Sequence, residues 1–109
     1  MAIVYKVLGQ SNPSATTQTT LYTVPASTSA VVSTVTITNL AGTDATFRLA
    51  VRPAGETLAN KHYITYDTTV PANDMVALTL GVTLATTDVV ACYASTANVS
   101  FSIFGSEIS

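Results

Sequence analysis

The sequence predicts an all-β domain, an antiparallel β-sandwich of about eight strands. Apolar and polar residues alternate with a period of two through most of the chain, and Pro, Gly, Asn and Asp turns separate the alternating runs. No amphipathic helical segment of any length occurs. Short strands in this pattern are typical of a sandwich, including the jelly-roll type. The 109 residues suffice for one core, so we expect a single domain over residues 1–109, with residues 1–17 as an N-terminal strand or arm and a linker.

Four strands are predicted in the first half of the chain. They cover residues 3–8, 19–24, 30–39 and 45–53, and Gly, Asn-Pro and Ser residues end the first one. In the third strand the alternation places one set of side chains inward, namely Val31, Ser33, Val35 and Ile37. In the fourth strand Phe47, Leu49 and Val51 face inward, and Arg48, Ala50 and Arg52 face outward. A tight turn joins these two strands, which predicts a hairpin.

The second half of the chain supplies the other four strands. A loop with room for one helical turn (54–60) precedes strands over residues 61–70, 75–84, 89–94 and 99–105, and the last four residues are expected to fray. Tyr63 and Tyr66 lie three apart, so a regular strand would point them to opposite faces and they would not form one stacking surface.

Few residues carry a charge. The charged fraction is 9%, against about 25% in a typical soluble protein, and the hydrophobic fraction is 48%. Two explanations fit: a monomer whose surface is made neutral and wet by Ser and Thr hydroxyls, or a subunit that buries much of its surface in an assembly. We favour the assembly, because buried subunit surface does not need charge for solubility.

Charge and motifs also exclude several classes of function. The net charge is −2 and the four basic residues form no cluster, so we expect no nucleic-acid binding. No apolar run reaches the about 18 residues of a membrane span, and the first ten residues do not resemble a signal peptide, so we expect no membrane partner and no export. Cys92 is the only cysteine and lies in an apolar strand, which predicts a buried, inert side chain.

No constellation of catalytic groups is apparent. His62 is the only histidine and has no identifiable partners, so we expect it at the surface or in a subunit contact. The six acidic residues stand mostly in turns, without the spacing of a calcium loop. We therefore predict no enzyme activity, no catalytic residues, no cofactor and no metal.

Two long segments resemble small β-sandwich virion proteins of tailed bacteriophages. They are "TLYTVPASTSAVVSTVTITNLAGTDATFRLAV" (20–51) and "VPANDMVALTLGVTLATTDVVACYASTANVSFSIFGSEI" (70–108). The resemblance covers most of the chain and implies a structural virion component, made in the host cytoplasm and without enzymatic activity. Such components include head decoration (cement) proteins and tail accessory proteins.

We favour a head decoration protein on the outer surface of the head. Its expected partners are the major capsid protein and copies of itself, as a homotrimer. The first strand could add to a neighbouring subunit. The candidate assembly contacts are Ile3, Tyr5, Lys6, Arg48 and Arg52. The alternative is a tail, baseplate or fibre-associated structural or receptor-binding module, for which residues 54–63 are the nearest to a binding loop.

Overall fold

The computed structural model of the chain describes residues 2–109. Eight β-strands form two four-stranded antiparallel sheets, which confirms the predicted sandwich. Two 3₁₀ turns, Pro53–Gly55 and Asn60–His62, lie between the fourth and fifth strands. The strands, in chain order, are β1 (Ile3–Ser11), β2 (Thr19–Thr23), β3 (Ser29–Asn39), β4 (Ala45–Arg52), β5 (Tyr63–Val70), β6 (Met75–Leu84), β7 (Val89–Ala94) and β8 (Val99–Ile108).

The strand order is that of a jelly roll. Sheet A has the order β1-β8-β3-β6, and sheet B has the order β2-β7-β4-β5. The pairing is nested along the chain, because β1 pairs with β8, β2 with β7, β3 with β6 and β4 with β5. Folding such a nested set over into two layers gives two Greek keys in one sandwich. As a result, every connection except the one between β4 and β5 crosses from one sheet to the other.

The core fills the space between the two sheets. Phe47 from sheet B meets Phe101 from sheet A edge to face, with ring centroids 6.3 Å apart, and both side chains are fully buried. Such edge-to-face contact is the favourable geometry for aromatic pairs. Cys92 is also buried in this core, as predicted, and burial raises the pKa of its thiol to about 11. A thiol in this state is protonated and unreactive at neutral pH.

The predicted hairpin of β3 and β4 is wrong. β3 pairs with β6 and β8 in sheet A, whereas β4 pairs with β5 and β7 in sheet B. Buried Asn39 stands where the chain leaves β3 and fixes this crossing. Its amide donates to the carbonyl oxygens of Thr43 (2.8 Å) and Val70 (3.2 Å), and its side-chain oxygen accepts from the Ala41 N–H (3.0 Å). A short connection between alternating strands can therefore be a sheet-to-sheet crossing and not a hairpin.

The predicted inner face of β3 is wrong in its first half. Ala30 and Val32 are buried there, while Val31 is only half-buried and Ser33 is exposed. The register shifts between Val32 and Thr34 in both pairings of β3, so a β-bulge at Ser33 changes which alternate residues face the core. From Val35 onward the predicted alternation is confirmed.

The first and last strands are longer than predicted. β1 continues past Leu8 to Ser11 across a register shift between Val7 and Gly9, and β8 continues to Ile108, so the expected fraying of the last four residues is wrong. The two ends support each other, because the backbone N–H groups of Ala2 and Ser109 each donate to the other residue's carbonyl oxygen (2.7 and 2.9 Å). β1 is thus an edge strand of the chain's own sheet, bonded to β8 along one side only.

Candidate functional site

The first half of β1 is exposed on both faces. A strand in a sandwich normally alternates buried and exposed side chains, but residues 3–7 are all exposed. Tyr5 is 83% exposed, and Ile3, Val4 and Val7 are each about half exposed. All four belong to the edge strand of sheet A, with Ile3, Tyr5 and Val7 on one face and Val4 on the other, and we call them the β1 surface. Nothing in the described chain covers them.

A shallow depression of about 640 Å³ adjoins the β1 surface on the outer face of sheet A. Tyr5 and Val7 form one wall, and Val31 and Phe104 from β3 and β8 form the other. The pairing explains this neighbourhood, because Val7 lies opposite Phe104, and Tyr5 and Val31 both lie opposite Ser106. Apart from Lys6 and Gly105, the residues that line the depression are apolar or carry small hydroxyls. Its chemistry fits contact with another protein surface better than recognition of a charged ligand.

Lys6 lies on the other face of β1 and is already paired. Its Nζ is 3.3 Å from Glu107 Oε1, and the second carboxylate oxygen of Glu107 accepts a hydrogen bond from the Tyr22 hydroxyl at 2.6 Å. The three side chains connect β1, β8 and β2, and so tie the edge of sheet A to sheet B. Hydrogen bonds from Tyr22 and Lys6 lower the pKa of Glu107, whereas burial and the Glu107 carboxylate raise that of Tyr22.

The lowered pKa of Glu107 predicts that the fold loses stability in acid. A carboxylate whose pKa is lower in the folded chain stabilises the fold fully above its unfolded pKa of about 4.3, and loses that effect as pH falls through the folded value. Replacing Glu107 with Gln keeps an acceptor for Tyr22 but removes the charge. We expect wild type to exceed Glu107→Gln in unfolding free energy at pH 7, and the gap to close below about pH 4. Urea unfolding of both proteins at pH 7 and below about pH 4 measures this difference in unfolding free energy. An equal difference at the two pH values would contradict a stabilising role for the Glu107 charge.

Arg48 stands at the centre of a polar and aromatic cluster on the outer face of sheet B. Its Nε donates to Asp67 Oδ1 at 2.7 Å, and a second guanidinium nitrogen is 3.3 Å from Oδ2. The guanidinium carbon also lies 4.1 Å from the Tyr66 ring centroid and 4.2 Å from that of Tyr93. This pairing with Asp67 raises the pKa of Arg48 further. The guanidinium is held rigidly and its charge is balanced.

Tyr63 belongs to the same cluster, which corrects the prediction that Tyr63 and Tyr66 cannot share a surface. Their ring centroids are 4.9 Å apart in an edge-to-face arrangement. The pairing of β5 with β4 shifts register twice, and Asp67 has a positive φ of 49°. Each bulge adds a residue to β5, and this breaks the period of two on which the prediction rested.

Arg52 has a structural role in the loop that follows β4. Its Nε and a terminal nitrogen donate to the carbonyl oxygens of Glu56 (2.6 Å) and Gly55 (3.1 Å). These hydrogen bonds hold the Arg52 guanidinium against the backbone of its own chain.

His62 is buried, so the expectation of a surface histidine is wrong. Its Nδ1 accepts from the Ala59 N–H (3.0 Å), which leaves the ring proton on Nε2 facing Glu56 Oε1 at 3.2 Å. The contact with His62, together with Lys61, lowers the pKa of Glu56. The histidine therefore fixes the loop between β4 and β5. Within residues 2–109 no group of three or more His, Cys, Asp or Glu side chains is placed to hold a metal ion.

The five predicted contact residues do not form one site. Ile3, Tyr5 and Lys6 lie on β1 at the edge of sheet A, whereas Arg48 and Arg52 lie on the outer face of sheet B. Val7 and Tyr93 were not among the predicted residues, although simple alternation along β1 and β7 indicates both. Tyr66 and Asp67 could not be predicted, because their positions depend on the bulges in β5.

Comparison with known proteins found no match. A scan against protein-family models, a search of curated proteins and a search of solved structures each returned no similar protein. Among residues 2–109, no helix has the length and apolar character needed to cross a membrane.

Proposed function

We propose that this protein is a non-enzymatic structural component of a tailed-phage virion, a decoration or cement protein on the outer surface of the head. In this proposal it binds the shell of major capsid protein, associates with itself as a homotrimer and stabilises the head. The resemblance of residues 20–51 and 70–108 to phage virion proteins supports this class. The β1 surface gives the mode of action, because it is an apolar edge that this chain leaves uncovered.

The β1 surface is the observation that carries the proposal. Its four side chains are about half exposed or more and occupy an edge strand whose outer side is open to a neighbouring chain. Burying side chains of this size contributes about 1.5–3 kcal/mol each, less the part already buried. Fixing one protein on another costs an estimated 4 kcal/mol or more, so a single contact would be weak. Repetition over a symmetric shell supplies the remaining affinity through multivalency.

Arg48 and Arg52 are weaker candidates for capsid contacts than Ile3 and Tyr5. Their guanidinium groups already bond within the chain, and breaking those bonds would oppose any gain from a partner. We therefore place the contact at Ile3, Tyr5 and Val7, with Lys6 bordering it.

The proposal predicts that Tyr5→Asp weakens binding to heads without affecting the fold. The side chain is mostly solvent-exposed, so the isolated protein should unfold at nearly the same urea concentration as wild type. Binding to phage heads that lack the protein, measured by co-sedimentation, should weaken at least about tenfold, which corresponds to 1.4 kcal/mol per contact. Met75→Asp is the matched control, since Met75 is 52% exposed at the opposite edge of the same sheet. Equal binding by both variants would overturn the placement of the contact on β1.

The Arg48 cluster favours a second candidate function. An adhesin needs fixed aromatic and polar groups beside a loop, and Tyr63, Tyr66 and Tyr93 lie beside the connection between β4 and β5. A tail, baseplate or fibre-associated receptor-binding module is therefore the alternative. Gold-labelled antibody on intact virions separates the two, because label on the head supports decoration and label on the tail supports the alternative.

A further inference from the structure

A cup of about 260 Å³ lies on the outer face of sheet B, beside the Arg48 cluster. Strands β4 and β7 form its floor, where Ala50 and Ala91 face outward between larger neighbours and are each 2% exposed, and Leu58 from the loop after β4 also lines the cup. Tyr63 and Tyr93 form aromatic walls, and the segment before β2 supplies Gln18 at the rim. The cup exists because two alanines stand where other residues would fill the sheet's outer face.

A second, shallower depression of about 380 Å³ adjoins the cup. It is bordered by Asn60, Tyr63 and Tyr66, so the Tyr63 ring separates the two hollows. The Tyr63 ring is held edge to face by Tyr66, which in turn packs on the guanidinium of Arg48. The aromatic walls are thus rigid before any ligand arrives, and rigid walls reduce the entropic cost of binding.

The charge of the site is balanced. Arg48 is the cation of the cup, and Asp67 neutralises it through two contacts of 2.7 and 3.3 Å. An anionic ligand would have to compete with that carboxylate, so the site disfavours phosphates and carboxylates. A neutral ligand with hydroxyl groups meets no such penalty. Its hydroxyls can bond to Gln18 and to the hydroxyl of Thr16 at the rim, while its apolar face lies on an aromatic ring.

We infer that the cup binds one pyranose ring of a neutral glycan, with a second sugar unit of the same glycan in the depression beyond Tyr63. The volume of the cup lies just below the range of about 300–1,000 Å³ for drug-sized ligands, which suits a single ring. The C–H face of the sugar stacks on Tyr63, and its hydroxyls bond to Gln18 and Thr16. This inference does not depend on the virion role, because the cup and the β1 surface lie on different sheets.

Nuclear magnetic resonance on the ¹⁵N-labelled full chain tests the inference. The probes are the methyl glycosides of glucose, galactose, mannose and N-acetylglucosamine. We expect at least one of them to shift the amide signals of Gln18, Tyr63 and Tyr93, with a Kd on the order of 1 mM, about −4 kcal/mol for one sugar ring. Tyr63→Ala should weaken that binding at least about tenfold, and Gln18→Ala, an exposed change, should weaken it several-fold. Tyr5→Ala, which removes an exposed tyrosine from the other sheet, should leave it unchanged.

Two kinds of result would overturn the inference. One is that the glycosides fail to bind at the cup, seen either as an absence of shifts with every glycoside at millimolar concentration or as shifts that persist equally in Gln18→Ala and Tyr63→Ala. The other is a response at the cup to adenosine or inorganic phosphate without any response to the glycosides, which would assign the site to a nucleotide or an anion. Neither result bears on the binding of heads by the β1 surface, which Tyr5→Asp tests separately.

Discussion

Replacing Gly105 with alanine is expected to destabilise the fold by about 3 kcal/mol or more. A Cβ at this position would overlap the carbonyl oxygen of Val31 and lie 3.1 Å from Cα of Val32. Both atoms belong to the backbone of β3, next to the β-bulge at Ser33, so no side chain can rotate away. Relief requires β3 and β8 to separate, and that breaks pairing in the centre of sheet A.

Gly81→Ala is the control for this prediction. Gly81 also lies within a strand, β6, but an added Cβ there would have nothing within 4 Å. Because alanine restricts the unfolded chain more than glycine does, this change should be neutral or slightly stabilising. Urea unfolding of the two variants measures the difference. Similar unfolding free energies for both would contradict the close approach of β8 to β3.

Replacing Asn39 with aspartate should cost about 3–5 kcal/mol at neutral pH, the range for a buried polar network left with an uncompensated charge. The side chain is 1% exposed, and its amide nitrogen donates to two carbonyl oxygens. A carboxylate of the same shape donates nothing and places negative charge against both oxygens. The substitution therefore removes the link between the β3–β4 crossing and the end of β5 without changing the volume of the core.

The Asn39→Asp deficit should depend on pH in a predictable direction. Burial against two acceptors disfavours the charged carboxylate, so its pKa is raised in the folded state and the deficit is largest above that value. Protonation of the new carboxyl restores one hydrogen-bond donor. The difference in unfolding free energy between Asn39→Asp and wild type, both measured at the same pH, should therefore be smaller near about pH 4 than at neutral pH. Asn98→Asp, at an exposed position, is the matched control and should be nearly neutral. A deficit of equal size in both variants would contradict the buried role of Asn39.

Period-two alternation predicted the sandwich because it reports directly which residues can face a core. Val35, Ile37, Phe47 and Leu49 are all buried as predicted. Which strands pair with each other was harder to predict from the sequence. The alternation of β3 and β4 is the same whether the two strands form a hairpin or cross between sheets. The buried amide of Asn39 decides between the two. Its bonds to Thr43 and Ala41 lie within the crossing itself, and only the bond to Val70 is a tertiary contact.

Bulges account for most of the other differences between prediction and structure. One extra residue at Ser33 reverses the faces of the first half of β3, and two in β5 bring Tyr63 and Tyr66 together. No local sequence pattern marks either place, since Ser33 and Asp67 are ordinary strand-surface residues in the alternation. The residues of β1 are predictable as apolar, but their exposure follows from the position of β1 at the edge of sheet A, which is a tertiary feature. The candidate contacts on β1 were therefore within reach of sequence reasoning, and the cup beside Arg48 was not.

Cryo-electron microscopy of virions that carry this protein tests the central claim most directly. The proposal predicts density for the jelly roll at symmetric sites on the outer surface of the head, with the β1 surface against a neighbouring subunit or the capsid shell. Particles that lack the protein should then lose their DNA at a lower temperature than complete ones. Density confined to the tail, or absent from the particle, would contradict the proposal.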